Sequence, residues 1–292
     1  MDYALYIVAI ASICAVIAIA TDLTTGLTGM VSLAQASIFG VGAYATALCL
    51  TSGGVLYSLA LPFAAFSGMV VSFVIGMLAV KARGDRAVVG TIAIQMMVLS
   101  IITNWESFTG GPFGIRGIDP LRIWRLRFDT PFKFAVASVL AALGTLWLAQ
   151  RVARSPFGRV LRAVRDDEKF ALSIGKDPAH VKLIVALTSG GVIGLAGGLF
   201  ATTAGFIDPT SFTLSESILV LSMVIFGGLG STWGPAIGAC VLIAVPEVLR
   251  FVGMPAPMIG NIRQILYGLV LIVILMFRPR GLWGKYSLEQ GR

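Results

Sequence analysis

The stretch SPFGRVLRAVRDDEKFALSIGKDPAHVK, residues 155–182, decides how the rest of the chain is read. Eight Lys or Arg residues fall between Arg151 and Lys182, and long uncharged apolar runs lie on both sides. Ser155 followed by Pro156 is an N-cap with proline at the first helical position, where a missing N–H costs nothing. Apolar residues recur at Phe157, Val160, Leu161, Val164, Ala171 and Leu172, a spacing that predicts one apolar helix face. Arg159, Arg162, Asp166 and Lys169 occupy the other face. Gly175 supplies a stop. Asp177-Pro178 then repeats the cap-and-proline start, for a second helix that runs directly into the next apolar run. The expectation is two helices with a tight elbow, tied to a span, a geometry that can transmit a push. Two readings stay open on these residues alone. A basic amphipathic helix can lie on an anionic leaflet, while the mixed charge of RDDEK suits a protein partner.

Outward from this insert the chain is membrane-like. It has 292 residues, of which 57% are hydrophobic and 12% charged, with a mean hydropathy of +0.91. A soluble domain carries about a quarter charged residues, so the composition excludes that class. Residues 4–21 read as a first span; no Lys or Arg precedes them, which argues against a cleaved signal and for a retained helix. No charge appears between Asp22 and Lys81, room for two crossings, at 36–51 and 58–80. Residues 23–35, LTTGLTGMVSLAQ, are too polar and Gly-rich for a regular span and read as a broken or re-entrant piece lining a path. Further spans are expected at 87–104, 132–150 and 183–203, with an outer loop over 105–131. The block 214–250 is split by GGLGSTWGP into two passes, and a last span runs over 264–277. The fold class expected is an all-α polytopic bundle of about eight or nine spans, forming one domain over 1–292, with the charged segment 151–182 outside the membrane.

Charge orients this path. Residues 81–86, 151–182 and 278–292 share one side and hold fifteen of the 22 Lys and Arg; the other side holds seven. The excess belongs on the cytoplasmic side, which puts the insert and the C-terminus there. The +8 net charge is therefore a matter of topology, and nucleic acid is excluded as a partner. Cys14, Cys49 and Cys240 sit inside apolar runs and read as small hydrophobes, and a single His, His180, without clustered Cys or carboxylates excludes a metal site.

Polar groups inside apolar spans mark the candidate path. Gln35 and Gln95 are amides where an unpaired polar group is costly. Each is read either as an interhelical hydrogen bond holding the bundle or as a solute contact. Gly227, Gly228 and Gly230 are read either as a path-lining break or as a tight turn with close helix packing. Tyr44 and Asn104 suit interface anchoring, Glu216 suits a helix N-terminus, and Glu247 with Arg250 suits a local i,i+3 pair.

Several long motifs in order carry a resemblance. FGRVLRAVRDDEKFALSIGKDPAHVKL is similar to the cytoplasmic coupling segment of permeases in bacterial branched-chain amino-acid ABC importers. GLTGMVSLAQASIFGVGAYATAL, KARGDRAVVGTIAIQ, NWESFTGGPFGIRGI, IFGGLGSTWGPAIGA and FRPRGL resemble the same family, the second and third its M-type subunit. Arg86-Ala87 and Lys176 depart from it. The resemblance implies an inner-membrane permease for branched-chain or related amino acids, with no cofactor. It implies two ABC ATPase subunits, a second H-type permease subunit and a periplasmic solute-binding protein as partners. It also implies that Arg159, Arg162, Arg165, Asp166, Asp167 and Lys169, with the elbow at Gly175, meet the ATPase.

No nucleophile with a positioned base and no phosphate-cradling loop is present, so the chain is not expected to be an enzyme or to hydrolyse ATP itself. The rival reading is an ATP-independent secondary transporter of a small polar solute. Such proteins place acidic coupling-ion ligands at mid-membrane, and this chain has almost none.

Overall fold

Helix α1 (Asp2–Thr28) begins a computed structural model that describes residues 2–51, 59–82, 84–120 and 130–251, with short pieces between 122 and 127 and between 262 and 284. The break expected over 23–35 is shorter than its composition implies. Residues 23–28 continue α1, and the Thr24 and Thr28 hydroxyls are satisfied within it by donating back to the carbonyls of Thr21 and Thr24. Only 29–34 leave helical geometry. Gly29, at φ 73°, makes the turn, and the Met30 N–H reaches the Thr24 carbonyl, closing the helix end.

The chain then builds α2 (Gln35–Thr51), α3 (Ala60–Lys81), α4 (Asp85–Asn104), the single turn α5 (Glu106–Thr109) and α6 (Pro131–Arg154). The charged insert follows as α7 (Pro156–Asp166) and α8 (Glu168–Ser173), then α9 (Pro178–Ala204), α10 (Leu214–Gly227) and α11 (Gly234–Phe251). Among the described residues, α1, α3, α4, α6 and α9 are long and apolar enough to cross a membrane, whereas α2, α10 and Gly234–Glu247 of α11 are shorter apolar helices. The last expected span, 264–277, lies partly outside the described residues; those described between 262 and 276 are helical. Two-residue strands are the additions to an all-α reading. β1 (Ile115–Arg116) pairs antiparallel with β4 (Phe206–Ile207), and β2 (Arg122–Ile123) with β3 (Leu126–Arg127).

Helix α9 is the axis of the bundle. A bilayer supplies no hydrophobic drive between helices, so close approach has to come from small residues and hydrogen bonds. A Cβ added to Gly42 of α2 would lie 2.3 Å from the Gly194 carbonyl, and one on Gly68 of α3 would lie 2.4 Å from that of Gly190. Backbone therefore touches backbone on both sides of α9. Ser72 of α3 donates to Ala186 and Ser189 of α9 donates to Ala20, each at 2.6 Å. Ile13, Val16, Ile17, Ile38, Ile75 and Ile193 fill the space these contacts define. At the end opposite the insert, Phe212 is fully buried under Phe39, Tyr44 and Phe200, with ring centroids 5.6 to 6.2 Å away.

Candidate functional site

The break between α1 and α2 exposes N–H groups that no helix satisfies. Side chains from two other helices take them. Leu33 N–H donates to Thr91 Oγ1 at 3.0 Å, Ala36 N–H to Ser217 Oγ at 2.9 Å, and Ser37 N–H to Gln95 Oε1 at 2.7 Å. The same amide donates from Nε2 to the Phe212 carbonyl at 2.8 Å. Gln95 is fully buried and both ends of its amide are used, so its geometry is that of an interhelical clamp. It lies ten residues along α4, about 15 Å at 1.5 Å per residue, which sets the start of α2 deep within the bundle.

Gln35 is different. It is the first residue of α2, 3% exposed, and its Oε1 has no hydrogen-bond partner. It lines a cavity of about 30 Å³ together with Thr24, Ser32, Ser72 and Ser189. The hydroxyls of Thr24, Ser72 and Ser189 have their protons committed to backbone carbonyls, so those oxygens have only acceptor capacity left to offer. Tyr44 Oη is likewise buried without a partner, whereas Asn104 Nδ2 donates to Ser100 within its own helix and is exposed.

The charged insert is more finely divided than its periodicity predicts. Ser155 caps α7 by accepting from Gly158 N–H, and Asp177 caps α9 by accepting from Ala179 N–H, as the sequence implies. The expected first helix is two helices. Asp167 takes an extended conformation at φ −155° and its carboxylate accepts from Lys169 and Phe170 N–H, starting α8 afresh. The break shifts the helical phase. Leu161, Val164 and Ala171 are buried, but Leu172, expected on the same face, is 55% exposed beside Phe170 at 58% and Ile174 at 53%. Lys182 of α9 pairs with Glu168 of α8, and Gly175, at φ 75°, makes the elbow.

The insert is stitched to the bundle at one junction. Leu161 and Val164 pack with Leu23 and Leu27 of α1, Leu146 and Ala149 of α6, and Val181 and Val185 of α9. Fully burying side chains of this kind stabilises by about 1.5–3 kcal/mol each. Arg165 donates from one terminal nitrogen to the Gly26 carbonyl at 2.9 Å and from Nε to Asp166 at 3.0 Å. Its aliphatic stem runs past Gly29, where the break begins. Gly230, between α10 and α11, donates its N–H to Asp22 Oδ1 at 2.9 Å. A Cβ on Gly26 would meet both that carboxylate and that nitrogen. Gly227 and Gly228 receive the 281–284 segment: Leu282 and Trp283 N–H donate to the carbonyls of Phe226 and Gly227. The three glycines thus form a turn against α1 and residues 281–284, apart from both glutamines. A cavity of about 430 Å³ opens at the same junction, between Leu27, Ala153, Arg154, Arg162 and Arg165.

Of the remaining candidates, Arg162 donates to the Ala153 carbonyl, while Arg159, Asp166 and Lys169 are exposed. Glu247 accepts from Tyr3 Oη; the Arg250 side chain lies outside the described residues. Asp22 was missed as a site residue. Its signal was present: a lone acid at the end of an apolar run, read there only as the limit of the span. Among the described residues no three His, Cys, Asp or Glu side chains come together as metal ligands.

An apolar bundle with a broken helix and a charged element packed across one end defines a multi-pass membrane protein. Comparison with known proteins sharpens this: residues 3–275 match the family described as branched-chain amino acid transport system / permease component, and the chain belongs to that family. It is 28% identical over 291 residues to the high-affinity branched-chain amino acid transport system permease protein LivM of Escherichia coli, covering 91% of this chain and 67% of that one. It is 26% identical to the probable LivM of Methanocaldococcus jannaschii, covering 77% of this chain and 67% of the relative. It is also 26% identical to the autoinducer 2 import system permease protein LsrC of Yersinia pseudotuberculosis, covering 87% and 71%. No solved structure matches the chain.

Proposed function

We propose that the chain is the membrane-spanning subunit of an ATP-binding-cassette importer, and that α7–α8 is the element on which the ATPase acts. The observation that carries this is the apolar tip: Phe170, Leu172 and Ile174 stand exposed on an insert whose other apolar face is buried in the bundle. These three groups stand outside the face that packs on the bundle and are available to a partner. Exposed apolar clusters rimmed by charge, here Asp166, Lys169 and Lys176, are the usual form of a protein-binding patch.

The remaining steps follow from the junction. Motion imposed on α7 reaches α1 through Arg165 and Gly26, and the α10–α11 turn through Asp22 and Gly230. It also reaches Gly29, the start of the break, so the buried start of α2 moves with the insert. Gln35, an unsatisfied acceptor at that break, is the path residue of this reading. Gln95, Gly227, Gly228 and Gly230 hold the frame. The assembly would comprise two ATPase subunits, an H-type permease subunit and a periplasmic solute-binding protein, in the bacterial inner membrane with insert and C-terminus in the cytoplasm. Branched-chain or related amino acids are the proposed cargo.

Replacing Phe170 with Asp in the assembled transporter tests this. Uptake of labelled leucine and co-purification of the ATPases should both fall at least tenfold, with expression and thermal stability of the permease unchanged. Normal uptake and a normal complex would refute the docking assignment. Parallel uptake of autoinducer 2 identifies the cargo among those for which the relatives are named.

A further inference from the structure

We infer that the outer face of α6 carries a binding site for an anionic phospholipid, with its headgroup seated where α6 turns into α7. Phe132, Val136, Leu140, Leu143 and Trp147 recur every three or four residues, on one face of α6, and are 41 to 65% exposed. In a helix that crosses the bilayer, such a stripe is a track for an acyl chain. The next two positions in the same rhythm are Arg151 and Arg154. Apolar stripe, tryptophan and paired guanidiniums thus succeed one another along one face, matching tail, interface and phosphate of a lipid in order.

Basic residues at a helix end are commonplace, and a plain helix would leave them snorkelling into water. Two features make this place a site. The change of direction at Ser155-Pro156 folds α7 back beside α6 and forms a notch of about 430 Å³, lined by Trp147, Gln150, Arg151, Arg154, Ser155 and Pro156. That is the size range of small-ligand pockets. In addition, both guanidiniums are exposed, and neither has a hydrogen-bond or ion-pair partner among the described residues. The nearby Arg162 and Arg165, by contrast, are both engaged by backbone carbonyls. Two free guanidiniums within one turn present converging donors to a phosphate. Arg154 also borders the junction cavity behind α7, so a bound headgroup bears on the root of the insert.

The transporter complex, purified in mild detergent from a membrane containing phosphatidylglycerol, is examined by native mass spectrometry. Wild type retains phosphatidylglycerol, and Arg151→Gln with Arg154→Gln weakens its retention about thirtyfold, at roughly a factor of five for each cation near the surface. Arg159→Gln, on the exposed face of α7, leaves retention unchanged. Equal retention by wild type and the double variant overturns the proposal. A second measurement needs no arginine removed: a photoreactive residue at Gln150 is expected to yield a phosphatidylglycerol adduct. An adduct with the second permease subunit instead would show that protein covers this face and would overturn it. Phe170→Asp is carried alongside and keeps its lipid while losing the ATPases, so failure of the lipid site and failure of the docking reading give different results.

Discussion

Gln95 holds two strands of backbone that would otherwise be buried without partners, Ser37 N–H and the Phe212 carbonyl. An unsatisfied buried group costs about 1–3 kcal/mol, so Gln95→Leu should destabilise the permease by several kcal/mol. The check is a melting curve of the purified complex, in which a drop of several degrees accompanies any loss of transport. Unchanged melting with lost uptake would return Gln95 to the path. Asp22 makes a similar bond to Gly230 N–H from within α1. Asp22→Asn keeps an acceptor in place and should assemble normally. Asp22→Ala orphans the Gly230 N–H and should cost about 1–3 kcal/mol, read in the same melting assay. That Gln35 and Gln95 needed partners was legible in the sequence, because an amide in an apolar run is costly when left unpaired. Which of them was clamped and which left open depended on Ser37, Phe212 and Ser217, partners up to 122 positions away that no local pattern shows.

At the scale of elements, the charged insert was legible at its ends and opaque in its middle. Ser155-Pro156 and Asp177-Pro178 announce their caps because proline leaves few alternatives at the first helical position. Asp167 looks the same in sequence whether it caps a helix or decorates one, and RDDEK contains three acids from which to choose. The extended backbone at Asp167, its two N–H acceptances and the phase slip that leaves Leu172 outside reveal the cap. Asp167→Ala should therefore cost about 1 kcal/mol, confined to α8, and hydrogen exchange at Lys169 and Phe170 amides should accelerate several-fold. Unaltered exchange would mean that α8 does not depend on this cap. The break after α1 shows the same limit. Its glycines and threonines marked irregular backbone, but the helix runs to Thr28 because the threonine hydroxyls can be satisfied inside it by preceding carbonyls.

The whole molecule is a bundle gathered on α9 with a charged element fastened across one end. Its membrane class was legible from composition alone. Its crossings were countable only approximately, since α2 and α10, at 17 and 14 residues, are shorter than a full span. The central claim is that residues 155–182 face the compartment that holds the ATPase. It is tested most directly by replacing Cys14, Cys49 and Cys240, placing a cysteine at the elbow as Lys176→Cys, and adding a membrane-impermeant maleimide. Labelling of inside-out vesicles but not of intact cells is the result predicted; labelling of intact cells would contradict it.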